Sequence, residues 1–271
     1  MKFDSMRAWN EGLALMRANR EVLIALAGVF LMLPTLAMLL FAPPPELTGK
    51  QSFEALTAIM RDYFDKNWLV ILPLSLVTII GTLAILALFS DRGRPTVAEA
   101  LKQGATALLP LVLAQLLLGL LLALVCGVLL LLSAVTGVGI IVAVALLMAG
   151  LVAIYAGLRV ILISPVVVIE RKFNPVAALR RAWDLTRGTF WQLLLFFVML
   201  FIATGIVTGI ITSLIELVVT FIAGADGGKI AGDVTSSALG AVTNTLYIAL
   251  LAATHRQLTS QTPQGLAKEF D

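Results

Sequence analysis

The chain has 271 residues, 60% of them hydrophobic and only 13% charged, with a mean hydropathy of +1.01. A soluble domain carries about a quarter charged residues to keep its surface wet, so water is excluded as the solvent for most of this surface. The net charge of +3 does not point to nucleic acid, because the basic residues are parcelled between apolar runs and form no continuous patch.

A bilayer core about 30 Å thick takes about 20 apolar residues of helix. Residues 1–21 are polar to amphipathic, with Phe3, Met6, Leu13 and Met16 at helical spacing. Asp4 and Glu11 argue against a cleavable signal. The first span is expected at about 22–41 and the second at about 68–89. Between them, 42–67 opens with Pro43, Pro44 and Pro45 and continues with Phe53, Leu56, Met60 and Phe64 at helical spacing, which reads as an interfacial helix on the outer side.

The apolar tract 107–158 is long enough for two spans, about 107–132 and 140–162. Its one turn signal is the run 133–139, SAVTGVG. The fifth span starts near Phe190 (190–212) and ends between Ile211 and Ile222. The sixth, 234–254, is the least hydrophobic, and a tail of 255–271 follows. Pro34, Pro73 and Pro165 are candidate kinks in spans one, two and four.

Charge placement tests this count. With six spans, the N-terminal segment, 90–106, 159–189 and the tail lie on one side and hold 15 of the 19 Lys and Arg. Only Lys50, Arg61, Lys66 and Lys229 lie on the other. The lysine- and arginine-rich side is retained in the cytoplasm, so both ends are expected there. Three segments on that side, 3–19, 96–106 and 174–189, are amphipathic and precede odd-numbered spans. The expected fold is all-α: a single integral membrane domain, a six-helix transmembrane bundle with such interfacial helices. Copies one and three align loosely, pairing Phe3 with Phe173, Ala8 with Ala178, Leu15 with Leu185 and Arg17 with Arg187.

Few residues suggest chemistry. The first four spans hold almost no central ionisable group, which argues against a proton relay, and a lone Cys126 excludes an intrachain disulfide. The one histidine, His255, follows the last span and reads as a surface or capping residue. No catalytic, cofactor-binding or metal-ligating set is expected. Arg159 ends the fourth span, either as an interfacial anchor paired with Glu99, Glu170 or Asp184, or as a contact to a lipid headgroup or substrate. Arg180, Arg181 and Arg187 are the accompanying candidates for anionic headgroups. Glu216 is expected near the outer interface. Gln115, Asn244 and Tyr247, with Glu216, are candidates for lining a polar cavity. Small-residue stripes at Gly119, Ala123 and Gly127, at Ala149, Ala153 and Gly157, at Gly205 and Gly209, and at Ser237, Ala241, Thr245, Ala249 and Ala253 would let helices approach closely.

The run RVILISPVVVIERKFNPVAALRRAWDLTRGTFWQLLLFFV, 159–198, resembles the membrane domain attached to some bacterial glycerophosphoryl diester phosphodiesterases, and the uncharacterised YciC-like inner-membrane proteins. The matching features are an arginine ending a span, Pro165, Glu170 after an aliphatic run, and the ALRRAWDLTRGTFW helix entering the next span. The resemblance implies a bacterial inner membrane. In that family hydrolysis belongs to a separate soluble domain, for which six spans leave no room here, so the activity is not carried over. The expected function is a non-enzymatic multi-pass protein that interacts with lipid, scaffolds or supports the envelope. The alternative is a transporter or permease component for a lipid-like or small amphipathic solute. Expected partners are membrane lipids, with a second copy or another membrane protein as further candidates.

Overall fold

A computed structural model describes residues 3–45, 47, 49, 51–90 and 95–260. Lys2, Lys50, Arg92, Arg94, Lys268 and the rest of the expected tail beyond Ser260 lie outside the described residues. Within them the chain is helical: α1 (Ser5–Ala18), α2 (Arg20–Ala27), α3 (Leu33–Phe41), α4 (Phe53–Leu88), α5 (Val97–Val135), α6 (Gly139–Arg159), α7 (Ile163–Val168), α8 (Pro175–Leu185) and α9 (Phe190–Ser260).

Local chemistry sets the boundaries. The Asp4 carboxylate accepts from the Met6 and Arg7 amides at 3.0 Å and starts α1. Thr96 and Glu99 form a reciprocal capping box that starts α5, and Asn174 caps α8 with Pro175 at its first position. Between α2 and α3 the backbone widens into a π-helical turn, Gly28–Met32. Pro34 accounts for it: proline has no N–H for the Phe30 carbonyl, and its ring crowds that group. Together the three segments form one apolar stretch, Arg20–Phe41. Pro73 lies inside α4, whereas Pro165 lies in α7, a separate short helix beyond the end of α6 at Arg159.

Five helical stretches are long and apolar enough to cross a membrane. The last is the 71-residue α9, broken at Gly224 (φ 80°, ψ 177°), a backbone region open to glycine almost alone. The chain reverses there. Gly228 returns beside Thr220, Gly232 beside Glu216, and the Tyr247 and Thr204 hydroxyls meet at 3.2 Å. Thus α9 is a tight helical hairpin with arms 190–223 and 225–260, and the connection between the expected spans 190–212 and 234–254 is a single-residue turn between helices. The turn of the preceding hairpin falls where the sequence signalled it, with Gly137 at φ 65° between α5 and α6.

The expected surface helices take several forms. α1 and α8 are separate helices, but 96–106 is the opening of α5 and 53–67 the opening of α4, each continuous with the long helix that follows. A 36-residue α4 is about 54 Å long, more than the thickness of a bilayer core. α1 is docked by burial of Ala8 and Gly12, the latter against Leu250, and by the Phe3 amide donating to Gln192 Oε1 at 3.0 Å.

Packing is concentrated at one end. Leu83–Leu88 of α4 and Phe89 just after it are buried with Ala100, Ala107 and Leu111 of α5, Val166 and Val167 of α7 and Ile248–Leu250 of α9, and Ala178 and Ala182 of α8 join the same core against α5 and α7. Glu11 pairs with Arg256 at 3.5 Å, and Arg256 donates to the Phe89 carbonyl, tying α1, α4 and α9 together. Toward the other end, Leu116, Leu120, Leu124 and Leu131 of α5 and Phe201, Ile206 and Phe221 of α9 are more than half exposed. In lipid such side chains need no protein partner.

The small-residue stripes divide accordingly. Ser237, Ala241, Thr245, Ala249 and Ala253 are all buried, whereas Gly119, Gly127, Gly157, Gly205 and Gly209 meet nothing within 4 Å. The stripe that closes α4 on α5 is Ala100, Gly104, Ala107, Leu111 and Ala114, where a Cβ on Gly104 would sit 2.8 Å from the Ile80 carbonyl oxygen.

Candidate functional site

Two polar centres occupy the packed end. The first is built on Arg159, at the last position of α6. One turn earlier, the Tyr155 hydroxyl accepts from Arg159 Nε at 3.0 Å and Nη2 at 2.9 Å. The guanidinium carbon lies 5.2 Å from the Tyr155 and Trp183 ring centroids and 5.5 Å from that of Phe190. Each such contact contributes about 0.5–1 kcal/mol at a partly exposed site.

The rings brace one another, Tyr155 at 4.9 Å from Phe190 and 5.8 Å from Trp183. Thr186 closes the frame from below by donating to the Arg159 carbonyl at 2.9 Å, which fastens the end of α8 to the end of α6. Nη1 is buried with no hydrogen-bond partner among the described residues. Beside the guanidinium opens a groove of about 520 Å³. Leu151, Ile154 and Leu194 form its apolar wall, and Gly188, Phe190 and Trp191 its other side.

The carboxylate partners expected for Arg159 are engaged elsewhere or make no ion pair with it. Glu99 accepts from the Thr96 amide at 2.9 Å, as a cap. Glu170 forms the second centre. Its carboxylate accepts from Arg181 Nε at 3.1 Å, faces Lys172 Nζ at 3.4 Å, and meets His255 Nε2 at 3.1 Å.

Burial pushes the Glu170 carboxyl up, but the His255 hydrogen bond and the Arg181 charge outweigh it and lower the pKa from 4.5 to about 2. The ionised carboxylate only accepts, so His255 Nε2 carries the hydrogen. His255 is buried, not the surface cap the sequence suggested, because α9 continues to Ser260 and packs against α1 and α7.

The loop that presents Glu170 is closed by the Lys172 amide on the Val166 carbonyl at 3.4 Å, with Arg171 at φ 56° in the left-handed position a glycine usually fills.

The remaining candidates are dispersed. Arg181 is held by Glu170, while Arg180 and Arg187 are exposed on α8 and the loop after it. Gln115 is exposed on α5. Tyr247 bonds Thr204 within the α9 hairpin, and Glu216 faces Gly232, about 22 Å along the helix from Tyr247 at 1.5 Å per residue. Asn244, Tyr247, Gln115 and Glu216 are therefore not gathered around one point. Two buried hydroxyls of the second α9 arm bond their own helix, Ser237 to the Asp233 carbonyl and Thr245 to that of Ala241, both at 2.8 Å.

A family model, the membrane domain of glycerophosphoryl diester phosphodiesterase, matches residues 134–252, somewhat less than half of the chain. The matched stretch contains the whole Arg159 frame together with Glu170 and Arg181, and it stops short of His255. No curated protein and no solved structure matches the chain.

Proposed function

We propose that this chain is a non-enzymatic, six-span protein of a bacterial inner membrane, with both ends cytoplasmic, whose basic end engages anionic lipid and so organises the bilayer around it. One observation carries the reading. The packed end bears two exposed cations, Arg180 and Arg187, and a third, Arg159, held among aromatic rings, next to helices whose leucines and isoleucines face hydrocarbon. Each cation near an anionic leaflet contributes about 1 kcal/mol of attraction. Charge bias supports the orientation, since 15 of the 19 Lys and Arg fall on one side of a six-span count, and the reversal at Gly224 supports that count.

The test is to extract the protein in polymer-bounded native discs and compare the disc lipids with the bulk membrane. Anionic phospholipid is expected to be enriched, and the enrichment to fall when Arg180 and Arg187 are both replaced by Ala. Discs whose lipids mirror the bulk membrane overturn the lipid-organising reading. Tags at the two ends reporting opposite faces overturn the six-span topology.

A further inference from the structure

We propose that the groove beside Arg159 is a specific site for one phospholipid molecule, its phosphate held by Arg159 and Tyr155 and an acyl chain lying along Leu151, Ile154 and Leu194. The proposal rests on the lipid-engaging reading above and adds a stoichiometric site to it. Hydrogen-bond accounting is the first argument. The Tyr155 hydroxyl spends its two lone pairs on Arg159 Nε and Nη2, which leaves its own proton to donate. Arg159 Nη1 is shielded among the rings and has no acceptor among the described residues, so no carboxylate neutralises the guanidinium. Among the described residues no Asp or Glu lines the groove, so its polar corner offers the Tyr155 proton beside a full positive charge. A phosphate oxygen accepts that proton and offsets that charge at once.

The aromatic frame decides against the opposite ligand. In an aromatic cage that takes a quaternary ammonium, the rings are empty; here the guanidinium already occupies the space between Tyr155, Trp183 and Phe190, so a second cation is repelled.

The walls decide between a lipid and a free anion. Leu151 is 53% exposed, Ile154 59% and Trp191 76%, and Leu151 and Ile154 continue the lipid-facing side of α6. A free phosphate gains nothing from them, whereas an acyl chain buries them. A volume of about 520 Å³ takes a headgroup and the start of one chain, and the rest of the lipid stays in the bilayer. Tyr155 and Trp183, each about two-fifths exposed, sit as aromatic residues do at the headgroup level.

The test uses the full-length protein, washed extensively in mild detergent and measured by native mass spectrometry, with phosphatidylglycerol titrated back. The wild type is expected to keep one phospholipid per chain and to rebind one with saturation. Arg159→Ala is expected to weaken this at least about tenfold. Tyr155→Phe, which keeps the ring and removes only the hydroxyl, is expected to weaken it several-fold, and Arg180→Ala/Arg187→Ala to leave it unchanged. Should Arg159→Ala fail to fold, Tyr155→Phe and Arg159→Lys carry the test, because Lys keeps the charge but cannot offer the same planar fork.

Retention by the Arg159 and Tyr155 variants equal to the wild type overturns the site. Displacement of the bound lipid by millimolar inorganic phosphate also overturns it, since the acyl contacts then contribute nothing. A retained, Arg159-dependent lipid in discs of bulk composition sustains this site while the broader reading fails. Enriched discs with no retained lipid sustain the broader reading and overturn this site.

Discussion

Replacing Glu170 with Gln keeps the shape of the side chain and removes the charge on which Arg181, Lys172 and His255 converge. The magnitude follows from linkage. A carboxyl lowered from 4.5 to about 2 binds its proton less readily in the folded state by about 2.5 pH units, and at about 1.4 kcal/mol per unit this is about 3 kcal/mol of stability. The side chain is only 16% exposed, so solvent screening discounts the figure little. Because the folded-state value is depressed, the contribution is complete above pH 4.5 and is lost as the pH falls from there toward 2. In Glu170→Gln it is absent at every pH. Thermal unfolding in detergent, followed by tryptophan fluorescence at pH 7, is expected to show a drop of roughly 5 °C or more. Between about pH 5 and 3 the wild type should lose stability and the variant much less. A variant that melts within a degree of the wild type at pH 7, or that keeps the wild-type slope in acid, refutes the claim that this ionic centre holds α7, α8 and α9 together.

Gly104→Val places carbons against the Ile80 and Ala84 backbone, which cannot swing aside as a side chain can, and is expected to cost about 1–3 kcal/mol. Gly119→Val, with open space around it, should melt like the wild type, and equal effects of the two would refute the α4–α5 contact. Gly224→Ala forces a Cβ into the conformation at the α9 turn and is expected to cost about 1–3 kcal/mol. Cysteines at Glu216 and Gly232, whose Cβ atoms would lie 3.5 Å apart, fit a disulfide and should crosslink, and failure to do so argues against the hairpin. Arg171→Gly relieves a left-handed arginine and is expected to raise stability by about 1 kcal/mol, whereas a lower melting temperature shows that the Arg171 side chain contributes more than its backbone costs.

Much of this fold is written in local pattern. Helices long enough for hydrocarbon, the break at Gly137 and the buried stripe from Ser237 to Ala253 follow from run length, turn chemistry and helical spacing, all properties of neighbouring residues. The Tyr155 bond to Arg159 is also within reach of the sequence, because residues four apart share a helix face, although an arginine directs attention to carboxylates before phenols. The Glu170–His255 pair is not legible: 85 residues separate its members, and nothing near either one encodes the docking of α9 onto α7. Choosing among small-residue stripes fails for a related reason. Gly104 and Gly119 look alike in sequence, and only the course of α4 determines that the first is covered while the second meets open space. The turn at Gly224 is shorter than the sequence suggests because Asp226, Lys229 and Asp233 look like loop residues, yet they ride on a helix that outruns the bilayer core.

Confining the packed core to one end gives the molecule leverage. An arm of α9 some 34 residues long reaches about 51 Å from its base, so a tilt of about 5° where it is gripped carries the tip sideways by about 4 Å. Beyond its own hairpin, α9 is steadied by the first span at Gly28–Met32 and α3. Thickening or thinning of the bilayer then acts on the long arms and is felt, geared down, at the clasp of Glu11, Arg256 and the α4 terminus.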